Sequence, residues 1–188
     1  MITLAPTLTL RSFPRTAAWL RDLSLLFMAV IFIAALAQVK IPLPFTPVPL
    51  TGQTFAVLLV GATLGSKRGA ASLVLYTTLG AIGLPFFAGG ASGMAYLSGP
   101  TLGYLVGFIV AAYLVGKLAE RGLERNLRTS LIPFLVGTLI IYLFGAGWLV
   151  ILFGIEKALT LGVFPFLIGD MIKLVLAGLT LPAAWKMV

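Results

Sequence analysis

The chain has no cysteine and no histidine, and charge is scarce: Asp and Glu together number 5, and charged residues make up 10% of 188 positions. Each shortage excludes something. Without cysteine there is no disulfide, thiolate metal site or cysteine nucleophile. Without histidine, the usual proton shuttle near neutral pH and the commonest metal ligand are gone. No G-x-S-x-G and no G-x-x-x-x-G-K-[ST] occurs, so neither a serine nucleophile elbow nor a phosphate-cradling loop is encoded. The residues give no basis for an enzyme, and any ATP-driven step needs another subunit. Soluble domains carry about 25% charged residues. A chain that is 60% hydrophobic and 10% charged is an integral membrane protein or is not a folded monomer in water, and its apolar runs predict an all-α membrane protein.

In place of charge the chain has long apolar runs. Residues 23–39 are uncharged and about as long as the shortest membrane-crossing helix, ~17 residues. Further spans are predicted over 52–64, which is short, and over 70–84, stopped by Pro85. Others cover 101–119, 131–144 and 166–185, the last opened by Pro165. Residues 149–161 carry Glu156 and Lys157 and read as a short helix dipping at one membrane face; a seventh span is the alternative. The expected organisation is a single integral membrane domain over 1–188, with a helical bundle over 23–185 and a lead over 1–22. In the lead the arginines follow the apolar part, which is not a signal-peptide layout, so it is expected on the cytoplasmic side.

The net charge of +8 is explained by topology, with no nucleic-acid partner. Arg11, Arg15, Arg21, Lys67, Arg68, Lys117, Arg121, Arg125, Arg128 and Lys186 fall on one side of a six-span bundle, and only Lys40, Lys157 and Lys173 on the other. The positive-inside rule makes the first side cytoplasmic. It predicts a multi-pass protein of the cell (plasma or inner) membrane, embedded in the lipid bilayer with both termini inside. The proline-rich stretch 39–54, the glycine-rich stretch 83–100, the Glu156 region and the start of the last helix then open on the outer face. Many of the 21 glycines recur at small-xxx-small spacing, as at Gly61 and Gly65 and at Gly99, Gly103 and Gly107, which suits close helix packing in lipid.

Asp170 and Lys173 lie at i and i+3 on one helix face. Opposite charges in an apolar segment are costly unless paired or wet. They serve as a buried ion pair or as a polar spot in an outer cavity, where a carboxylate accepts ligand N–H groups and an ammonium holds an anion. Gln53 and Thr54 follow the prolines as helix cap or ligand contact, and Thr46 and Thr51 equally suit turns or caps. Tyr96, beside the uncharged glycines, suits either an interfacial belt or a small-molecule pocket. The run K-I-P-L-P-F-T-P-V-P, residues 40–49, is predicted extended, since each proline disfavours helix before it and removes a donor. It is a strap over a cavity or a plain connector.

Five pieces stand in order: Q-V-K-I-P-L-P-F-T-P-V-P-L-T-G-Q-T (38–54), G-A-T-L-G (61–65), G-L-P-F-F-A-G-G-A-S-G (83–93), G-P-T-L-G-Y-L-V-G-F (99–108) and P-F-L-I-G-D-M-I-K (165–173). As a set the chain resembles the BioY family, the biotin-specific substrate-binding S components of energy-coupling-factor (ECF) vitamin transporters. The resemblance implies a compact six-helix bundle with an outward-facing biotin site, closed by the loop between the first two helices. It implies a ligand set of Asp170, Lys173, Gln53, Tyr96, Gly89 and Gly90, with Phe45 and Thr46 from the strap and Phe45 or a near neighbour pointing inward. Asp170 would take the ureido N–H groups and Lys173 the valerate carboxylate. The resemblance also implies a transmembrane coupling subunit and two cytoplasmic ATPase subunits as partners, met through a small-xxx-small face on helix one. Here Ala29 is followed at i+4 by Ile33. No cofactor is implied; the ligand is biotin. The alternative is a non-transporting membrane scaffold or assembly protein, which predicts Asp170 and Lys173 paired in a collapsed interior without an outer cavity.

Overall fold

The structure is a computed structural model, described here over residues 3–186. Its elements are nearly all helical: α1 (Leu4–Ser12), α2 (Ala18–Gln38), α3 (Gln53–Leu64), α4 (Ser66–Ala81), α5 (Met94–Leu97), α6 (Leu102–Ala119), α7 (Leu131–Phe153), α8 (Ile155–Gly162) and α9 (Leu167–Trp185). Four described stretches are long and apolar enough to cross a membrane: α2, α6, α7 and the run Ile155–Trp185. That last run counts α8 and α9 together across a 3-10 turn at Phe164–Phe166.

The 12 residues of α3 fall short of the ~20 a lone spanning helix needs. Its neighbours shield it: Ala56, Val57, Leu58, Val60, Gly61, Ala62 and Leu64 are all buried. Close approach makes this feasible. A Cβ on Gly61 would stand 2.7 Å from the Ala112 carbonyl oxygen of α6, and one on Gly69 of α4 would stand 3.1 Å from the Gly61 Cα. Only glycine permits three helix backbones to meet so closely.

Two helix boundaries differ from the sequence expectation, both at a glycine. The basic turn expected over 65–69 is a single residue: Gly65, at φ +84°, reverses the chain, and Lys67 and Arg68 fall in the first turn of α4. The Glu120 carboxylate caps that turn, accepting from the Ser66 N–H at 2.8 Å and the Ser66 hydroxyl at 2.7 Å. The span expected to end at Phe144 continues to Phe153. Gly145 does not break it because the Tyr104 ring packs onto it; the break comes at Gly154, at φ +83°. Beyond it α8 is the short helix expected near 149–161, with Glu156 and Lys157 exposed and Ala158 and Gly162 buried.

The proline stretch is not simply extended. It folds back on itself, pairing β1 (Lys40–Ile41) antiparallel with β2 (Leu50–Thr51) in the register Lys40↔Thr51 and Ile41↔Leu50. All four prolines, at 42, 44, 47 and 49, lie in the intervening loop, where no ladder donor is needed. The hairpin sits at one end of the bundle, above the starts of α3 and α9. The Gly65 turn and the α6–α7 loop mark the other end. On α2, Ala29, Ile33 and Ala37 are buried in the bundle, while Phe27, Met28, Ile31, Phe32 and Ala35 face outward. The Ala29 register therefore packs inside the bundle and is not on the outer surface of α2.

Candidate ligand-binding site

Beneath the hairpin lies a cavity with an empty volume, counted to its open mouth, of about 520 Å³. Val48, Pro49, Leu50 and Thr51 form one wall, and Tyr96, Tyr104, Phe108 and Phe166 form apolar sides. The polar groups converge at the start of α9. Asp170, 6% exposed, accepts at Oδ1 from Lys173 Nζ (2.9 Å) and the Thr54 hydroxyl (3.0 Å), and at Oδ2 from the Tyr142 hydroxyl (2.7 Å). Lys173 Nζ also donates to the Thr51 carbonyl (2.7 Å) and to Thr54 Oγ1 (2.9 Å). A carboxylate offers about four acceptor sites and an ammonium three donors. Asp170 therefore keeps one site open, and every Lys173 proton has a protein acceptor.

Gln53 is buried on the same wall. Its Oε1 accepts from the Thr51 hydroxyl (3.1 Å) and its Nε2 donates to the Tyr76 hydroxyl (2.7 Å), which donates on to the Phe86 carbonyl (2.9 Å). This holds the amide in place with its second N–H uncommitted to any of these partners. Tyr96 is oriented by stacking on Phe87, with ring centroids 4.7 Å apart.

The cavity brings together Asp170, Lys173, Gln53 and Tyr96 of the sequence-predicted set, but not the others. Phe45 is 59% exposed and lies outside the lining; the inward strap residue is Val48, 6% exposed between Pro47 and Pro49. The Thr46 hydroxyl donates instead to the Leu161 carbonyl of α8 (2.6 Å) and accepts from the Val48 N–H (3.1 Å), tying the hairpin down. Gly89 and Gly90, at φ +69° and +77°, form a 3-10 turn outside the lining. A Cβ at 89 would come within 2.9 Å of the Lys40 side chain. Sequence reasoning missed Tyr142. The signal was there, a hydroxyl-tipped ring in an otherwise apolar span, but a tyrosine in a span reads equally as packing. Both the ion pair expected of a scaffold and the cavity expected of a binding protein are present.

Residues 8–188 match the BioY family. The chain belongs to that family. It is 40% identical over 157 residues to the "Probable biotin transporter BioY" of Pyrococcus horikoshii, covering 84% of this chain and 91% of the relative. It is 41% identical over 155 residues to the "Biotin transporter BioY" of Thermotoga maritima, covering 82% and 88%. Among solved structures it resembles an S-component for biotin from an ECF-type ABC transporter, with a TM-score of 0.80 and 29% identity over 89% of this chain and 92% of that one. The all-α membrane architecture of this BioY-family chain is thus that of an ECF S-component.

Proposed function

We propose that this chain captures biotin outside the cell as the S component of an ATP-driven vitamin uptake transporter and carries no catalysis of its own. Its partners are a transmembrane coupling subunit and two cytoplasmic ATPase subunits. Six helices span the cell membrane (α2, α3, α4, α6, α7 and α9), both termini are cytoplasmic and the cavity opens outward. The observation that carries this reading is the Asp170–Lys173–Thr54–Tyr142 network at the floor of a hairpin-roofed cavity in a BioY-family chain.

Asp170 and Lys173 are in direct contact, whereas the ureido group and carboxylate of biotin are separated by a ring and a four-carbon chain. One ligand end therefore meets both residues. Asp170 accepts a ureido N–H at its open site. Lys173 donates to the ureido carbonyl in exchange for one of its present acceptors, with the Gln53 N–H beside it. The apolar sides hold the thiolane ring, and the carboxylate points to the mouth. This replaces the assignment of Lys173 to the carboxylate.

Calorimetric titration of the detergent-solubilised chain with biotin, beside thiamine and riboflavin, tests capture. Saturable biotin binding at or below about the micromolar range, without binding of the other two vitamins, is expected. No saturable binding favours the scaffold. The orientation is tested with Lys173→Ala, which is expected to weaken biotin and an uncharged biotin amide equally; a larger loss for biotin returns Lys173 to the carboxylate.

A further inference from the structure

At the opposite end of the bundle, the α6–α7 loop and the end of α9 border a second depression. Arg125, Arg128 and Lys186 line it together with Asn126, Thr129 and Pro182, and its empty volume, counted to its open mouth, is about 930 Å³. No acidic residue is in its lining. Arg125 is ion-paired with Glu124 (Nε to Oε1, 3.7 Å), whose carboxylate is fully buried and outside the lining. The walls are held in place. The Arg125 guanidinium lies 4.1 Å from the Trp185 ring centroid, and the Trp185 N–H donates to Glu124 Oε1 at 3.1 Å. The Ser130 hydroxyl donates to the Gly178 carbonyl at 2.7 Å, which pins the start of α7 against α9.

Two further features bear on what this depression takes. Both α7 and the run ending at Trp185 are of membrane-crossing length, so their ends lie at the headgroup layer. Leu127 lines it too, and the surface leading away from it along the bundle is apolar, with Leu131, Ile132, Leu135 and Leu179 exposed. A free anion uses neither of these; a lipid uses both.

We propose that this depression binds the headgroup of a net-anionic phospholipid. Arg125, Arg128 and Lys186 hold the phosphate, and the acyl chains lie along the outer faces of α7 and α9. Basic depressions at helix ends on one membrane face are suited to such headgroups, each cation contributing about a fivefold gain in affinity.

The test uses the purified full chain in detergent, as wild type and as Arg128→Gln/Lys186→Gln, with phosphatidylglycerol, phosphatidylcholine or inorganic phosphate. Native mass spectrometry reads bound lipid, and thermal unfolding reads stabilisation. Wild type is expected to retain phosphatidylglycerol several-fold better than phosphatidylcholine and to gain thermal stability from it, and the double variant to lose about 30-fold in affinity. Equal retention of the two lipids, or a double variant that holds phosphatidylglycerol as wild type does, overturns the proposal. So does stabilisation by inorganic phosphate equal to that by the lipid, which marks a free-anion site. Circular dichroism and size exclusion check the variant's fold. If it fails, Arg128→Gln alone, at an exposed position, decides with an expected fivefold loss; no loss overturns the proposal.

Discussion

Asp170 shows how one residue is set up by its surroundings. Three donors meet its carboxylate, so its buried oxygens are hydrogen-bonded. Tyr142 alone holds Oδ2 among its protein partners, the oxygen with the open site. Tyr142→Phe keeps the ring and removes the hydroxyl. A net hydrogen bond is worth about 1 kcal/mol, so biotin affinity measured by calorimetry is expected to fall about fivefold with little change in fold; an unchanged affinity would separate Tyr142 from the site. Glu124, at the other end, is set up the opposite way. Burial pushes its carboxyl above the ordinary range, outweighing its own backbone N–H, the nearby Arg125 charge and the Trp185 hydrogen bond, each of which pulls it down. Its Oε2 has no hydrogen-bond partner among the described residues. A carboxyl raised on folding adds stability that is complete below its unfolded value, about 4.3, and is lost as pH rises through the folded one. Thermal unfolding of wild type is therefore expected to occur at lower temperature on the alkaline side of that window. Glu124→Gln, which keeps the acceptor for Trp185, is expected to flatten the dependence, and parallel pH profiles would remove Glu124 as its source.

Among the elements, the hairpin is where sequence and structure part most instructively. Four prolines in eight residues announce a segment that is not helical, and the change from an apolar span to this stretch places it at the bundle's end. The two-residue ladder that folds it back depends on partners ten or so positions away, and that pairing selects Val48 rather than Phe45 to face inward. The same gap explains α7. Gly145 looks like a breaker in one dimension, and only the Tyr104 ring lying against it in three makes the glycine a packing choice. Gly154, equally plain in sequence, is the real break because its φ is positive. Thr46 was legible as a polar residue in an apolar strap, but its acceptor, the Leu161 carbonyl, is 115 positions distant. Thr46→Val keeps the shape and removes that tie between hairpin and α8. If the hairpin is the lid over the ligand, biotin dissociation followed by stopped flow is expected to quicken about fivefold, from ~1 kcal/mol. Association should change little, since interface changes act mostly on the off-rate. An unaltered off-rate would mean that the tie does not hold the closed state.

For the whole molecule, the apolar helices and their order were legible because apolar length and proline and glycine punctuation are local properties. The interior network was only partly legible. Asp170 and Lys173 share a helix turn, but their partners Thr51, Thr54 and Tyr142 come from β2, α3 and α7. Orientation rests on charge. Ten basic side chains lie toward the Gly65 and α6–α7 end and three toward the cavity end, and an excess of this kind marks the cytoplasmic side. The absence of cysteine lets single introduced thiols report topology without a background. Ser92, in the segment between α4 and α5 at the cavity end, and Asn126, in the α6–α7 loop, are both exposed, and replacing either leaves the charge count unchanged. With a membrane-impermeant maleimide on intact cells, Ser92→Cys is expected to label at once and Asn126→Cys only after the membrane is opened. The reverse pattern would turn the molecule over, putting the cavity inside the cell, and capture of an external vitamin would fall with it.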